Sequence, residues 1–230
     1  MDIIRNAWEV DDKDELLALH GHGSREEFIQ DRQERAKEIV DWCSVTPNSR
    51  GFEIGSGDGT VALLLASQCL ALDCTDISGS LLDRARATCA QLSNVSFYKT
   101  ESDYINYLPA ETYDFGFSLH VFIHFNAYDI FNYLVSVNRA LKPGAMFYFD
   151  ACTVGEQTLP VFREHAGMYS KAPETIRGLL NFNHPSMLAR VISEAGLETC
   201  DKSTLSDDGW MKVLVRRKLE KRQRFSFLRR

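Results

Sequence analysis

The chain has no apolar run approaching the roughly 18 residues that a membrane-spanning helix needs, so no such helix is expected. Its start, Met1-Asp-Ile-Ile-Arg, lacks a basic segment followed by a long apolar one. A signal peptide is therefore not expected, and a cytoplasmic location is. Cysteine is sparse, at six residues, and no Cys-x-x-Cys pair occurs. Cys69, Cys74, Cys89 and Cys152 fall in expected core elements, which points to free buried thiols in a reducing compartment rather than disulfides. No Gly-Lys-Ser/Thr is present, which excludes an NTP-binding P-loop. His20-Gly-His22 has no third ligand nearby and reads as a turn rather than a metal pair.

What is present is ordinary for a globular domain: 230 residues, 44% hydrophobic and 25% charged, enough for one substantial core. The net charge of −6 conceals an asymmetry. Residues 216–230 carry eight basic residues and one acid, which leaves 18 basic and 31 acidic residues in the rest, a net of −13. An acidic body is a poor partner for DNA. The basic tail, with Phe225, Phe227 and Leu228, either meets RNA or an anionic surface or is a solvated terminus.

The most informative stretch is Phe52-Glu-Ile-Gly-Ser-Gly-Asp-Gly. An apolar run ends in Glu53, glycines follow at 55, 57 and 59, and an apolar helical pattern starts at Thr60. That is a strand, a glycine turn and a helix start, where backbone approaches a ligand at the positive end of a helix. Seventeen residues past the last glycine, a second apolar run ends in Asp76, a carboxylate placed to accept from both hydroxyls of a ribose. The glycine spacing is one residue short of the dinucleotide fingerprint.

The pattern Glu-x-Gly-x-Gly-x-Gly resembles motif I of the class I S-adenosyl-L-methionine (SAM) dependent methyltransferases. The resemblance continues in order through Asp76-Ile-Ser, Val95-Ser-Phe-Tyr, Tyr113-Asp-Phe-Gly-Phe-Ser and Asn138-Arg-Ala-Leu-Lys-Pro-Gly. It implies an α/β fold, a Rossmann-like three-layer αβα sandwich. Its seven-stranded, mostly parallel sheet would be ordered 3-2-1-4-5-7-6, with strand 7 antiparallel. Strands are expected near 51–55, 71–76, 95–99, 113–118, 145–151, 197–204 and 210–217. Helices are expected near 59–69, 79–92, 127–141 and 185–195. Residues 1–50 form a helical segment, with a capping box at Ser24 and Glu27. Trp8, His20 and His22 belong to a cover over the site. The core runs from 51 to 217, with a substrate-side insert near 153–183, and residues 218–230 are the tail.

The resemblance also implies a cofactor site, for SAM and its product S-adenosyl-L-homocysteine (SAH). Its expected residues are Glu53, Gly55, Ser56 and Gly57 in the turn and Asp76 and Ile77 after strand 2. Glu101 and Ser102 follow after strand 3, with Asp103 as fallback acid, and Ser118 and Leu119 after strand 4. Glu53 is expected to fix the loop, and Asp58 to cap or charge-complement the helix. The run Ser118-Leu-His-Val lacks the Asn/Asp-Pro-Pro-Tyr of members that methylate nucleobases or amides, which disfavours DNA. No metal is expected, because Asp150 lacks an adjacent Asp-Asn pair.

A hydroxyl acceptor needs a base, and histidine is the usual choice. His120 is the first candidate and His124 the second; both face one side if 120–124 is a helical turn. His124 alternatively only braces the loop, and His184 is a third candidate. Phe162, His165, Met168, Tyr169 and Phe182 of the insert line an apolar substrate pocket or pack among themselves. The expected activity is methylation of an oxygen or nitrogen of a small molecule by a monomer or homodimer. The rivals are a protein or RNA methyltransferase docking through the tail, and a non-catalytic SAM-binding or partner-binding protein.

Overall fold

The computed structural model describes residues 24–101, 104–170 and 178–219. Trp8, His20, His22, Ser102, Asp103 and the tail from 220 onward lie outside the described residues. The first described element is helix α1 (Arg25–Trp42), capped by Ser24, whose hydroxyl accepts from Glu27 N. The core then alternates: β1 (Arg50–Ile54), α2 (Thr60–Leu65), β2 (Ala71–Asp76), α3 (Gly79–Thr88), β3 (Val95–Lys99) and β4 (Tyr113–Ser118). Next come α4 (Ala127–Ala140), β5 (Leu141–Cys152), α5 (Leu159–Tyr169), α6 (Pro185–Glu194), β6 (Leu197–Thr199) and β7 (Trp210–Arg217).

The seven strands form one sheet in the order β3-β2-β1-β4-β5-β7-β6. Strands β1 to β5 pair in parallel, and β7 runs antiparallel to β5 and β6. This is the expected topology.

Both faces of the sheet are buried, as a parallel sheet requires. The two-residue period of a strand divides the side chains. Phe147 and Phe149 point to one face, where Phe52, Tyr113, Phe122 and the apolar sides of α4 and α6 complete the core. Tyr148 points to the other, among Ile39 of α1, Leu65 of α2, Leu72, Phe115 and Phe117. The aromatic share of the chain is therefore concentrated around β5. All six cysteines are unpaired, and five of them are buried.

Several boundaries differ from the sequence reading. Helix α2 ends at Leu65, and residues 66–68 tighten into a 3₁₀ turn rather than continuing to 69. Helix α3 stops at Thr88 instead of 92. Strand β5 starts directly after α4, at Leu141. Its pairing with β4 slips from Tyr113↔Leu141 to Phe115↔Met146, so the Lys-Pro-Gly turn is taken up as a bulge. Strand β6 stops at Thr199 because Ser203 replaces the backbone in the ladder: its hydroxyl donates to Leu214 O and accepts from Leu214 N, both at 2.9 Å. No helix among the described residues is long and apolar enough to cross a membrane.

Candidate active site

The carboxyl ends of β1, β2 and β4 meet at the glycine turn. Gly55 N and Ser56 N both donate to Thr75 O, at 2.7 and 3.0 Å. Gly57 N donates to Asp76 Oδ2 at 2.9 Å, while Asp76 Oδ1 accepts from Ser78 N at 2.9 Å. Asp76 thus joins the turn to the start of α3 with one oxygen each. Ser118 ties β4 to β1 by donating its hydroxyl to Ile54 O at 2.8 Å.

Two glycines are required for different reasons. At Gly55, with φ +76°, a Cβ would stand 2.2 Å from Val121 Cγ2. The loop after β4 is therefore packed directly on the turn. At Gly57, with φ +53°, a Cβ would meet nothing within 4 Å. That open side faces a cleft lined by Glu53, Gly55, Ser56, Gly57, Asp58 and Leu119, with Phe28 and Arg32 of α1 as its roof. Ser56 Oγ is buried and has no hydrogen-bond partner among the described residues. A buried orphan hydroxyl beside bare backbone fits a polar ligand that supplies the missing bond.

Residues 52–144 match the family described as a methyltransferase domain. The matched stretch, from the glycine turn through β4 to the start of β5, is about two fifths of the chain. A demethylmenaquinone methyltransferase of Tropheryma whipplei is 30% identical over 117 residues, which are 51% of this chain and 47% of that protein. The match thus spans about half the length of that relative. Among solved structures, magnesium protoporphyrin IX methyltransferase from Synechocystis, with bound SAH, superposes with a TM-score of 0.68 at 15% identity. It covers 94% of this chain and 99% of its own. A complex between the Haloferax volcanii Trm112 methyltransferase activator and a methyltransferase gives a TM-score of 0.65 at 17% identity, covering 86% and 94%.

Within the matched stretch, the structure brings five of the expected residues to the cleft: Glu53, Gly55, Ser56, Gly57 and Leu119. Asp76 reaches it through Gly57. Ile77 and Glu101, the latter exposed after β3, are not among the residues that line it. Asp58 is not the helix cap; Gly59 holds that position. Asp58 Oδ1 instead accepts from Thr60 N and Oγ1, at 3.1 and 2.7 Å, just ahead of the helix. Glu53 does not fix the turn through its side chain, which receives a hydrogen bond from the Cys74 thiol at 3.4 Å.

Sequence reasoning missed Arg32. It is 4% exposed, its guanidinium lies 4.7 Å over the Phe28 ring, and it bonds Asp31 at 3.0 Å. Burial pulls its pKa down, opposed by Asp31, Asp150 and Asp58. The signal was legible: Phe28, Arg32, Ala36 and Ile39 share the buried stripe of α1, and an arginine there needs a reason.

The histidines separate. His120 sits just after β4 at φ +56°, a conformation that non-glycine residues adopt mainly under outside constraint. Its backbone N–H donates to both oxygens of buried Asp150, at 2.9 and 3.0 Å, and its Nε2 lies 3.9 Å from Asp150 Oδ2. The 3₁₀ turn begins only at Phe122, so 120–124 is not one helical turn. His124 is pinned to the last part of the insert: Nδ1 meets Leu179 O at 2.9 Å, and its carbonyl accepts from Asn181 Nδ2 at 2.6 Å. Burial lowers its pKa to about 4. His184 caps α6, accepting from Ser186 N. In the insert, α5 buries none of its residues. Phe162 meets Phe182 edge-on at 5.3 Å, and Met168 and Tyr169 are exposed.

Two buried acids shape the pH dependence. Burial raises Glu53 to about 8, opposed by the Cys74 bond. Burial raises Asp150 to about 6, opposed by the His120 N–H and by Arg35 and Arg32. A carboxyl raised in the folded state adds stability below its unfolded pKa and loses it as pH rises through the folded value. Glu53→Gln should therefore be more stable than the wild type by about 2–4 kcal/mol at about pH 8.5. The gap should close toward pH 4.5, the ordinary value for this group. Denaturant midpoints across that range test this; a gap that ignores pH would show that ionisation of Glu53 is not its source.

Proposed function

We propose that the chain is a SAM-dependent methyltransferase that acts on a small molecule and transfers the methyl group to an oxygen or nitrogen. The observation that carries this reading is the cleft over the open side of Gly57, with Asp76 at its edge and the orphan Ser56 hydroxyl in its wall. When bound, SAM supplies a methyl group on a sulfonium, a leaving system that needs no further activation.

The chain's own residues then have positioning and proton handling to do. Asp76, at the end of β2, holds the ribose hydroxyls. Backbone at Gly55 and Gly57, with Ser56, receives the polar part of the cofactor, and Arg32 offers a cation to a carboxylate. Leu119 and Val121 exclude water from the junction with the acceptor. Ser102, Ile77 and Glu101 remain the candidates for the adenine end, with Ser118 and Leu119 beside the sulfonium.

His120 is the base. Its Nε2 lies 3.9 Å from Asp150 Oδ2, beyond direct hydrogen-bond reach, and the neutral ring takes the proton from the acceptor. Asp150 then stands beside the imidazolium. This arrangement suits an acceptor that must lose a proton, such as a hydroxyl. His124, half-buried and neutral at pH 7 with a pKa of about 4, braces the loop instead. The exposed apolar side chains of α5 suit an acceptor with an apolar body. The relatives named for demethylmenaquinone and magnesium protoporphyrin IX support a small-molecule acceptor.

Calorimetric titration with SAM and SAH, and with NAD as control, tests the cofactor: binding of NAD alone would overturn the reading. Asp76→Ala should weaken SAM binding by roughly 1.5–3 kcal/mol, the loss of a charged hydrogen-bonding group; unchanged affinity would remove Asp76 from the site. His120→Ala should lower turnover about 10²-fold or more, and a rate near wild type would assign it to structure. Truncation after Arg217 should leave the rate on a small acceptor intact. A collapse of that rate, with SAM affinity retained, would favour docking of a macromolecule through the tail.

A further inference from the structure

Strand β1 ends in an acid that the cleft encloses. Glu53 is 2% exposed and lies in the cleft wall with Gly55, Ser56 and Leu119. Among the described residues, its side chain receives one hydrogen bond, from the Cys74 thiol, a weak donor that stabilises a carboxylate little. The charged groups around it are unequal. Asp58 from the turn and Asp76 from β2 oppose a further negative charge, and Arg32 from α1 favours one. The Cys74 thiol of β2 and the Cys89 thiol after α3 are themselves held neutral, because burial raises both, Cys89 to about 11. Glu53, raised to about 8, is mostly protonated at pH 7 by the same balance.

SAM and SAH differ by one methyl group and one positive charge. A cation brought near a buried carboxyl favours its ionised form; a neutral thioether does not. At a carboxyl as buried as Glu53, the difference is felt more strongly than in water.

We propose that Glu53 reads the charge of the cofactor: it meets the ligand as a neutral acid and loses its proton when the ligand carries the sulfonium. The O–H bond of Glu53 breaks and the proton passes to the solvent. The resulting carboxylate is matched to SAM and not to SAH. Once the methyl group and its charge have left, Glu53 takes a proton back, and the cleft holds the product less tightly than the substrate. The inference rests on SAM as the cofactor.

The test is calorimetric titration of the full chain at pH 7 with SAM and, separately, with SAH, each in phosphate and in imidazole buffer. The change of apparent heat with buffer ionisation enthalpy counts the protons released. The wild type should release about half a proton or more per SAM and less than half that amount per SAH, as a group near pKa 8 shifted below 7 requires. Glu53→Gln should lose most of the SAM-linked release and narrow the preference for SAM over SAH by about tenfold, one unit of differential interaction. Equal proton release for the two ligands in the wild type overturns the proposal without any variant, and so does an unchanged release in Glu53→Gln. Absence of binding by either ligand is a different failure, that of the cofactor reading itself.

Discussion

The active end of the molecule depends on a single carbonyl and a single carboxylate at the end of β2. Thr75 O holds Gly55 N and Ser56 N, and Asp76 holds Gly57 N. These bonds bend the chain after β1 back toward β2, so that the turn presents its bare side to the cleft. The rest follows from that bend. The Gly55 surface becomes the seat for Val121, which fixes where the loop after β4 passes. That loop in turn places His120 over Asp150 at the end of β5. Four neighbouring strand ends are thus locked in sequence, by contacts that need a glycine or an acid at one position.

Buried charge is the cost of this arrangement. Glu53 and Asp150 are both enclosed, and α1 places Arg32 and Arg35 where their fields reach Asp150. Arg35 also donates to Tyr148 Oη at 3.2 Å, and that hydroxyl donates to Glu38, which accepts in turn from Lys212 of β7. Helix α1 is therefore electrostatically committed to the sheet on one side of the cleft while Phe28 roofs the other. Burying such groups is unfavourable unless they are paired or neutral. The Arg35–Glu38–Lys212 network is paired, whereas Glu53 is kept largely neutral. That contrast separates a structural ion network from an acid held ready for a ligand.

Much of the fold was legible because it is written in period and punctuation. Alternating strands and helices pointed to a parallel sheet, and the family resemblance carried by the glycine turn and the acid after β2 implied the observed strand order. What was misjudged depends on contacts distant in sequence. Strand β5 extends four residues earlier than its apolar run, because pairing with β4 absorbs Lys142, Pro143 and Gly144 in a bulge. Strand β6 ends early because a serine hydroxyl replaces its ladder. The expectation that His120 and His124 share a helical face failed for the same reason. The carboxylate of Asp150, thirty residues away, captures the His120 N–H and holds that residue left-handed. Arg32 shows the opposite case: its place on the apolar stripe of α1 was visible, but the cleft it roofs is built by residues further along the chain.

This division explains why the cofactor side of such a site is readable and the acceptor side is not. The cofactor side is made of backbone, which constrains sequence directly: a side chain at 55 collides with Val121. On the proposed reading, the acceptor side is made of side chains on segments that the sheet does not dictate. Helix α5 buries nothing, so its Phe162, Met168 and Tyr169 can change without disturbing the fold. The segment that pins His124, through Leu179 and Asn181, is likewise free of strand or helix constraints. A scaffold built in this way keeps one chemistry constant and leaves the choice of acceptor to residues that carry little of its stability.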